Sequence, residues 1–152
     1  KLECNRLNLK SQILNEGEVI KNKTEIIIIN SYGVIPNYLS ICKSVFIGKS
    51  LIKKLEAVGG QNPIEAAKFG CKIYHGPFVY NFKEIYNLLK KYNISEEINN
   101  EDELSKKLNK DLSNLDTINN ATIKNINKLG NQILINTFNE LEEVIKNENV
   151  KT

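Results

Sequence analysis

Short apolar runs of strand length alternate with helix-length amphipathic segments through the first two thirds of the chain, and this alternation most restricts its fold. "RLNLK" (Arg6 to Lys10) reads as a short strand. "TEIIIIN" (Thr24 to Asn30) is a β-branched run that suits a strand buried on both faces. "VIPNYLSICK" (Val34 to Lys43) follows with helical spacing at Ile35, Tyr38, Leu39 and Cys42. "SVFIG" (Ser44 to Gly48) reads as a second short apolar strand, "NPIEAAKF" (Asn62 to Phe69) as a helix, and "CKIYHG" (Cys71 to Gly76) as a third buried strand. "NFKEIYNLLKKY" (Asn81 to Tyr92) is an amphipathic helix and "ISEEIN" (Ile94 to Asn99) an edge strand. Strands alternating with helices predict an α/β fold, a Rossmann-like parallel sheet with right-handed crossovers. Ligands of such sheets sit beyond the carboxyl ends of the strands. Three Gly-rich or polar turns follow the predicted strands, at Asn30 to Gly33, Gly48 to Asn62 and His75 to Asn81, and are expected to open on one sheet edge.

The last third is helical, polar and rich in Asn and Lys. Leu129, Ile133, Phe138, Leu141 and Ile145 fall on one apolar stripe, which predicts C-terminal helices closing over the sheet. The expected organisation is a nucleotide-binding core over residues 1–100 with a helical segment of the same domain over 101–152. The chain's 152 residues are enough for one core. A net charge of +3, with lysines dispersed and not clustered, gives no support to a nucleic-acid partner. The longest apolar run, Ile26 to Ile29, is too short to cross a bilayer, and no signal peptide is visible. Cys4, Cys42 and Cys71 are odd in number and far apart. They read as reduced thiols, with Cys42 and Cys71 inside the core, and neither a metal nor a cofactor is expected.

"VGGQNPIEAAKFG" (Val58 to Gly70) admits two readings. Asn62, Pro63 and Glu65 approximate a capping box at an ordinary helix start. Gly59 and Gly60 would also let backbone amides approach a phosphate, with Glu65 placed to accept hydrogen bonds from a ribose diol. "FIGKS" is not a P-loop, because the position five before Gly48 is Lys43. His75, the only histidine, ends a strand without a neighbouring carboxylate in sequence, and reads as a polar strand terminus ahead of a general base. Asn81 reads as the N-cap of the helix that follows.

Together, "FIGKSL", "GGQNPIEAAKFGCKIYHGPFVYNFKEIYNLL" and their order resemble the C-terminal half of the 3-deoxy-D-manno-octulosonic acid (Kdo) transferases, glycosyltransferases of lipopolysaccharide synthesis. That family runs Gly-Gly-Ser, then Gly-Gly-His-Asn-Pro-Leu-Glu, then Gly-Pro and Asn-Phe before an amphipathic helix. This chain matches at Gly48, Ser50, Gly59, Gly60, Asn62, Pro63, Glu65, Gly70, Gly76, Pro77, Asn81 and Phe82. The resemblance covers Thr24 to about Leu89 and implies one half of a GT-B fold that holds the nucleotide-sugar CMP-Kdo. It carries donor binding to Gly33, Gly48, Ser50, Gly59, Gly60, Asn62, Glu65 and Asn81, with the glycine pair on the phosphate side and Glu65 with Asn62 on the ribose side.

The departures are equally specific. The family's Asp-Thr-x-Gly-Glu segment stands here as "NSYGV", with Asn30 and Val34 in place of the acids. Lys49 replaces the second Gly of Gly-Gly-Ser, and Gln61 replaces the family His. The resemblance implies transfer of Kdo to a lipid A precursor at the cytoplasmic face of the bacterial inner membrane. The acceptor site, membrane contact and catalytic carboxylate would lie in an N-terminal domain absent from these residues. No catalytic residue is therefore expected here, and the chain by itself is expected to be silent. The alternatives are a non-catalytic remnant of the fold, or the donor domain of another GT-B glycosyltransferase.

Overall fold

The computed structural model describes residues 1–113 and 120–149, in two compact units, Lys1–Tyr38 and Leu39–Thr152. In the first unit, α1 (Leu2–Arg6) precedes β1 (Ser11–Leu14), which pairs in parallel with β2 (Ile26–Ile29) in the register Ser11 to Ile26 through Leu14 to Ile29. The strand predicted at Arg6 to Lys10 is thus displaced: Arg6 ends a helix and the strand begins at Ser11. A parallel pair needs a long crossover, normally helical. Here Gln12 fastens an irregular crossover, donating from Nε2 to the Val19 carbonyl at 3.0 Å and accepting from the Lys21 amide at 2.8 Å.

β2 departs from the strand buried on both faces that its sequence predicts. Ile26, Ile27 and Ile29 remain 36%, 37% and 38% exposed. A two-stranded sheet gives its strands one ladder neighbour each, so side chains that a wider layered sheet would cover keep contact with water.

The chain passes from one unit to the next within α2 (Ile35–Leu39). The second unit holds a three-stranded parallel sheet of β3 (Ser44–Phe46), β4 (Lys72–His75) and β5 (Ser95–Glu97), with β4 central. Between these strands run α3 (Ile64–Lys68) and α4 (Lys83–Lys91); α5 (Glu101–Ser113) and α6 (Asn120–Asn149) follow. The core gathers Ile73 of β4 with Ala66 and Ala67 of α3 and with Tyr86 and Leu89 of α4; Ile47 and Ile94 complete it. Small alanines on α3 let that short helix lie close against the sheet.

Polar side chains tie α5 to the strands. Asp111 accepts hydrogen bonds from the Ser44 hydroxyl and from the Tyr74 hydroxyl, the latter at 2.9 Å. Burial, reinforced by Asp111, raises the Tyr74 phenol well above its usual range, so it stays a donor. Lys107 meets Glu96 on β5, which Lys72 also approaches at 3.6 Å.

The first part of α6 packs along α3 and sets Ile126 against the core. The stripe predicted for this region is only partly covered. Phe138, Leu141 and Ile145 are more than half exposed, and the Ile133 side chain lies outside the described residues. Cys71 is fully buried, its Sγ 3.4 Å from the Leu39 carbonyl, and burial pushes its thiol up to about 11. Cys42 is exposed, against the expectation of a core position, because its helix ends at Leu39 and no longer directs that side chain inward.

Candidate functional site: the carboxyl edge of the second sheet

β3 and β4 are parallel neighbours, so the turns after them emerge on the same edge. Two of the three turns predicted to converge do so, the segments following Phe46 and His75. The third, carrying Gly33, belongs to the first unit.

Ser50 joins the two turns. Its hydroxyl, fully buried, donates to the Ile47 carbonyl at 2.6 Å and accepts from the Gly76 amide at 2.9 Å, while its carbonyl accepts from the Phe78 amide at 2.9 Å. Gly76 is required by this closeness. A Cβ there would lie 2.5 Å from the Leu51 Cα and closer still to the Ser50 carbonyl oxygen. Beside Ser50, Lys49 adopts φ +68°, in the left-handed region that favours glycine. The departure from Gly-Gly-Ser at this position therefore carries a backbone cost. Gly48 opens the turn, exposed, with open space where a side chain would begin.

The glycine pair is held from one side by Asn81. Its Nδ2 donates to the Gly60 carbonyl at 2.9 Å, and a Cβ on Gly59 would meet the Asn81 Cγ at 2.7 Å. Asn81 thus clamps the glycine turn instead of capping α4, at whose start no side-chain cap forms. Gly59 has φ +72°, and its amide donates to the Glu56 carbonyl at 3.2 Å. Tyr80 donates to the Ala57 carbonyl at 2.6 Å and Tyr86 to the Gln61 carbonyl at 2.9 Å, so the segment running from Tyr80 into α4 braces the whole loop.

Asn62 accepts a hydrogen bond from the Ile64 amide at 3.0 Å, which satisfies one of the free donors at the start of α3. The reciprocal half of a capping box is not made: Glu65 is exposed and has no hydrogen-bond partner among the described residues. Its carboxylate is free to accept hydrogen bonds from a ligand. The structure therefore brings Gly48, Ser50, Gly59, Gly60, Asn62, Glu65 and Asn81 into one unit on linked loops, and leaves Gly33 in the other.

His75 ends β4 at 3% exposure, its ring 4.2 Å from that of Tyr86 and its Nδ1 2.8 Å from the Gly76 carbonyl. Because a carbonyl only accepts, that nitrogen carries the proton. Burial holds the imidazole below its usual range, hence neutral. Glu97, its register partner on β5, is the nearby carboxylate that sequence spacing could not reveal. Among the described residues, no three His, Cys, Asp or Glu side chains are grouped as metal ligands, and no helix is long and apolar enough to cross a membrane.

No protein-family model matches the chain. The crystal structure of the C-terminal CMP-Kdo binding domain of WaaA from Acinetobacter baumannii superposes with a TM-score of 0.68 over 81% of this chain, at 20% sequence identity. The match spans 63% of the length of that structure. At this level of likeness the shared property is the fold, Rossmann-like parallel sheets with helices, consistent with one half of a GT-B fold.

Proposed function

We propose that the chain is the donor-binding portion of a Kdo transferase, taking CMP-Kdo at the carboxyl edge of the second sheet. The observation that carries this reading is the pair of linked turns on a fold shared with a CMP-Kdo binding domain. In this reading the Gly60 region faces the phosphate and Glu65, unpartnered and exposed, accepts from the ribose hydroxyls. Asn62 sets the start of α3 beside it. Gly48 leaves the first turn open to the ligand. Ser50 and Asn81 hold the loops in register, with Asn81 at the rim. Glycosyl transfer requires donor and activated acceptor in one closed cleft. The acceptor-side groups, the lipid A precursor and the contact with the cytoplasmic face of the inner membrane are assigned to a partner domain. These 152 residues alone then bind donor without turning it over.

Calorimetric titration with CMP tests this. The expected result is saturable binding that Glu65→Ala weakens by at least about tenfold, the scale of a lost charged hydrogen-bond pair. Tighter binding of UDP than of CMP would reassign the donor to another nucleotide-sugar. Robust transfer by the chain alone would overturn the division of labour.

A second reading has one specific observation in its favour. The Gly59 amide is already used by Glu56, and the glycine pair is covered by Asn81 and Val79. A non-catalytic remnant that keeps the fold but not the nucleotide would show no heat of binding at millimolar CMP.

A further inference from the structure

A separate cavity of about 210 Å³ lies behind the loop, between α4 and the carboxyl end of β5. None of the residues assigned above to the donor lines it. His75 and Tyr86 form its floor. Lys83, Asn87 and Lys90, at helical spacing on one face of α4, and Glu97 form its walls. Two ammonium groups against one carboxylate leave a net positive charge, which favours an anion. No side chain among Lys83, Asn87, Lys90 and Glu97 makes a hydrogen bond or ion pair with another described residue.

The floor adds a more selective feature. His75 is buried, and its Nδ1 proton goes to the Gly76 carbonyl, so Nε2 is left as an acceptor with no partner among the described residues. Nε2 keeps contact with solvent through the cavity, so a ligand hydroxyl can take the place of water as its donor. Lysines and Asn87 donate to the oxygens of an anion, whereas Nε2 and Glu97 can only accept. The lining therefore asks for negative oxygens and a hydroxyl hydrogen in one small molecule.

We propose that this cavity binds a small oxyanion carrying its own O–H donor, with the charged oxygens on Lys83, Asn87 and Lys90 and the hydroxyl on Nε2 of His75. Two sources have this chemistry, a hydrogenphosphate and a 2-hydroxycarboxylate. Sulfate and a simple carboxylate offer the charge without the hydrogen.

The single histidine makes the test direct, because its imidazole nitrogens give one set of NMR signals. The full chain is titrated at neutral pH and constant ionic strength with phosphate against sulfate, and with glycolate against acetate. The expected result is a saturable shift of the His75 Nε2 signal with phosphate or glycolate, and binding of its hydroxyl-free counterpart at least about tenfold weaker. Discrimination within the phosphate pair assigns a phosphate, and within the glycolate pair a hydroxy acid. Equal binding of both members of each pair, or no saturable shift with any of them, overturns the proposal. Lys83→Gln and Lys90→Gln, both at exposed positions, are expected to weaken binding; unchanged affinity in both overturns it as well. His75→Phe, where it folds, should abolish the preference within a pair. Should it not fold, the paired titrations and lysine variants decide alone. Glu65→Ala should leave this binding intact, which separates it from the nucleotide site.

Discussion

β2 and β4 are both short strands in parallel sheets, yet they reach opposite environments. β2 is Ile-Ile-Ile-Ile, the most apolar stretch of the chain, and three of its side chains are more than a third exposed. β4 reads Lys-Ile-Tyr-His, with a cation at one end and an imidazole at the other, and its last three residues are 0%, 3% and 3% exposed. The difference lies in the neighbours. β4 has a strand on each side, α3 and α4 packed with it in one core, and α5 fastened through Asp111. β2 has β1 alone as its ladder partner. A strand's apolarity states what it can bury, and the layers around it decide what it does bury.

The largest expected effect that bears on this contrast is at Ile73. Ile73→Ala removes a fully buried side chain between two helices and two strands and should cost about 3–4 kcal/mol, whereas Ile27→Ala on β2 should cost about 1 kcal/mol. Native-state hydrogen exchange in each sheet measures both, and equal losses would break the comparison.

Gly76→Ala comes next. The new methyl has no room beside the Ser50–Leu51 backbone, so the turns must separate, at a cost of about 2–3 kcal/mol in denaturant unfolding. A neutral result would mean that the clasp between the β3 and β4 turns is looser than its hydrogen bonds imply.

His75 supplies a pH-dependent effect. Burial lowers its pKa in the folded chain from about 6.5; Glu97 opposes the shift and Lys90 assists it. Above the unfolded value the imidazole is neutral in both states and stability is complete. As pH falls below it, the unfolded chain takes up the proton first, so stability declines until the folded value is passed. Thermal midpoints between about pH 7.5 and about pH 5.5 should fall in the parent chain and stay flatter in His75→Phe. A parent midpoint that rises on acidification would contradict a buried neutral ring.

The smallest effect is a gain. Lys49→Gly relieves the left-handed backbone at φ +68° and should stabilise the chain by about 1 kcal/mol. No change in the unfolding midpoint would show that the lysine side chain offsets its own strain.

Part of the site was legible in the residues. Spacing located the glycine pair and Asn62 on the loop between β3 and α3, Glu65 in the first turn of α3, and the Gly-Pro turn after β4. The capping box was half right: Asn62 satisfies an α3 amide and Glu65 does not answer it. Asn81 was misread as a helix cap because cap preferences are local, whereas its partner Gly60 lies 21 residues away. The periodicity of α4 marks it as amphipathic, and nothing in the spacing of Lys83, Asn87 and Lys90 reveals a buried imidazole beneath them.

By itself, the sequence determined the alternation of strands and helices, the glycines that its turns require, and the carboxylate poised at the head of α3. These follow from periodicity and backbone sterics, which act over a few residues. Tertiary structure alone decided that the apolar run of β2 stays partly wet and that the strands form two sheets. It also decided that Ser50 and Asn81 reach across turns and that His75 is buried beside Glu97. Each of these depends on which distant segments arrive together, because burial and hydrogen-bond partnership belong to neighbours in space.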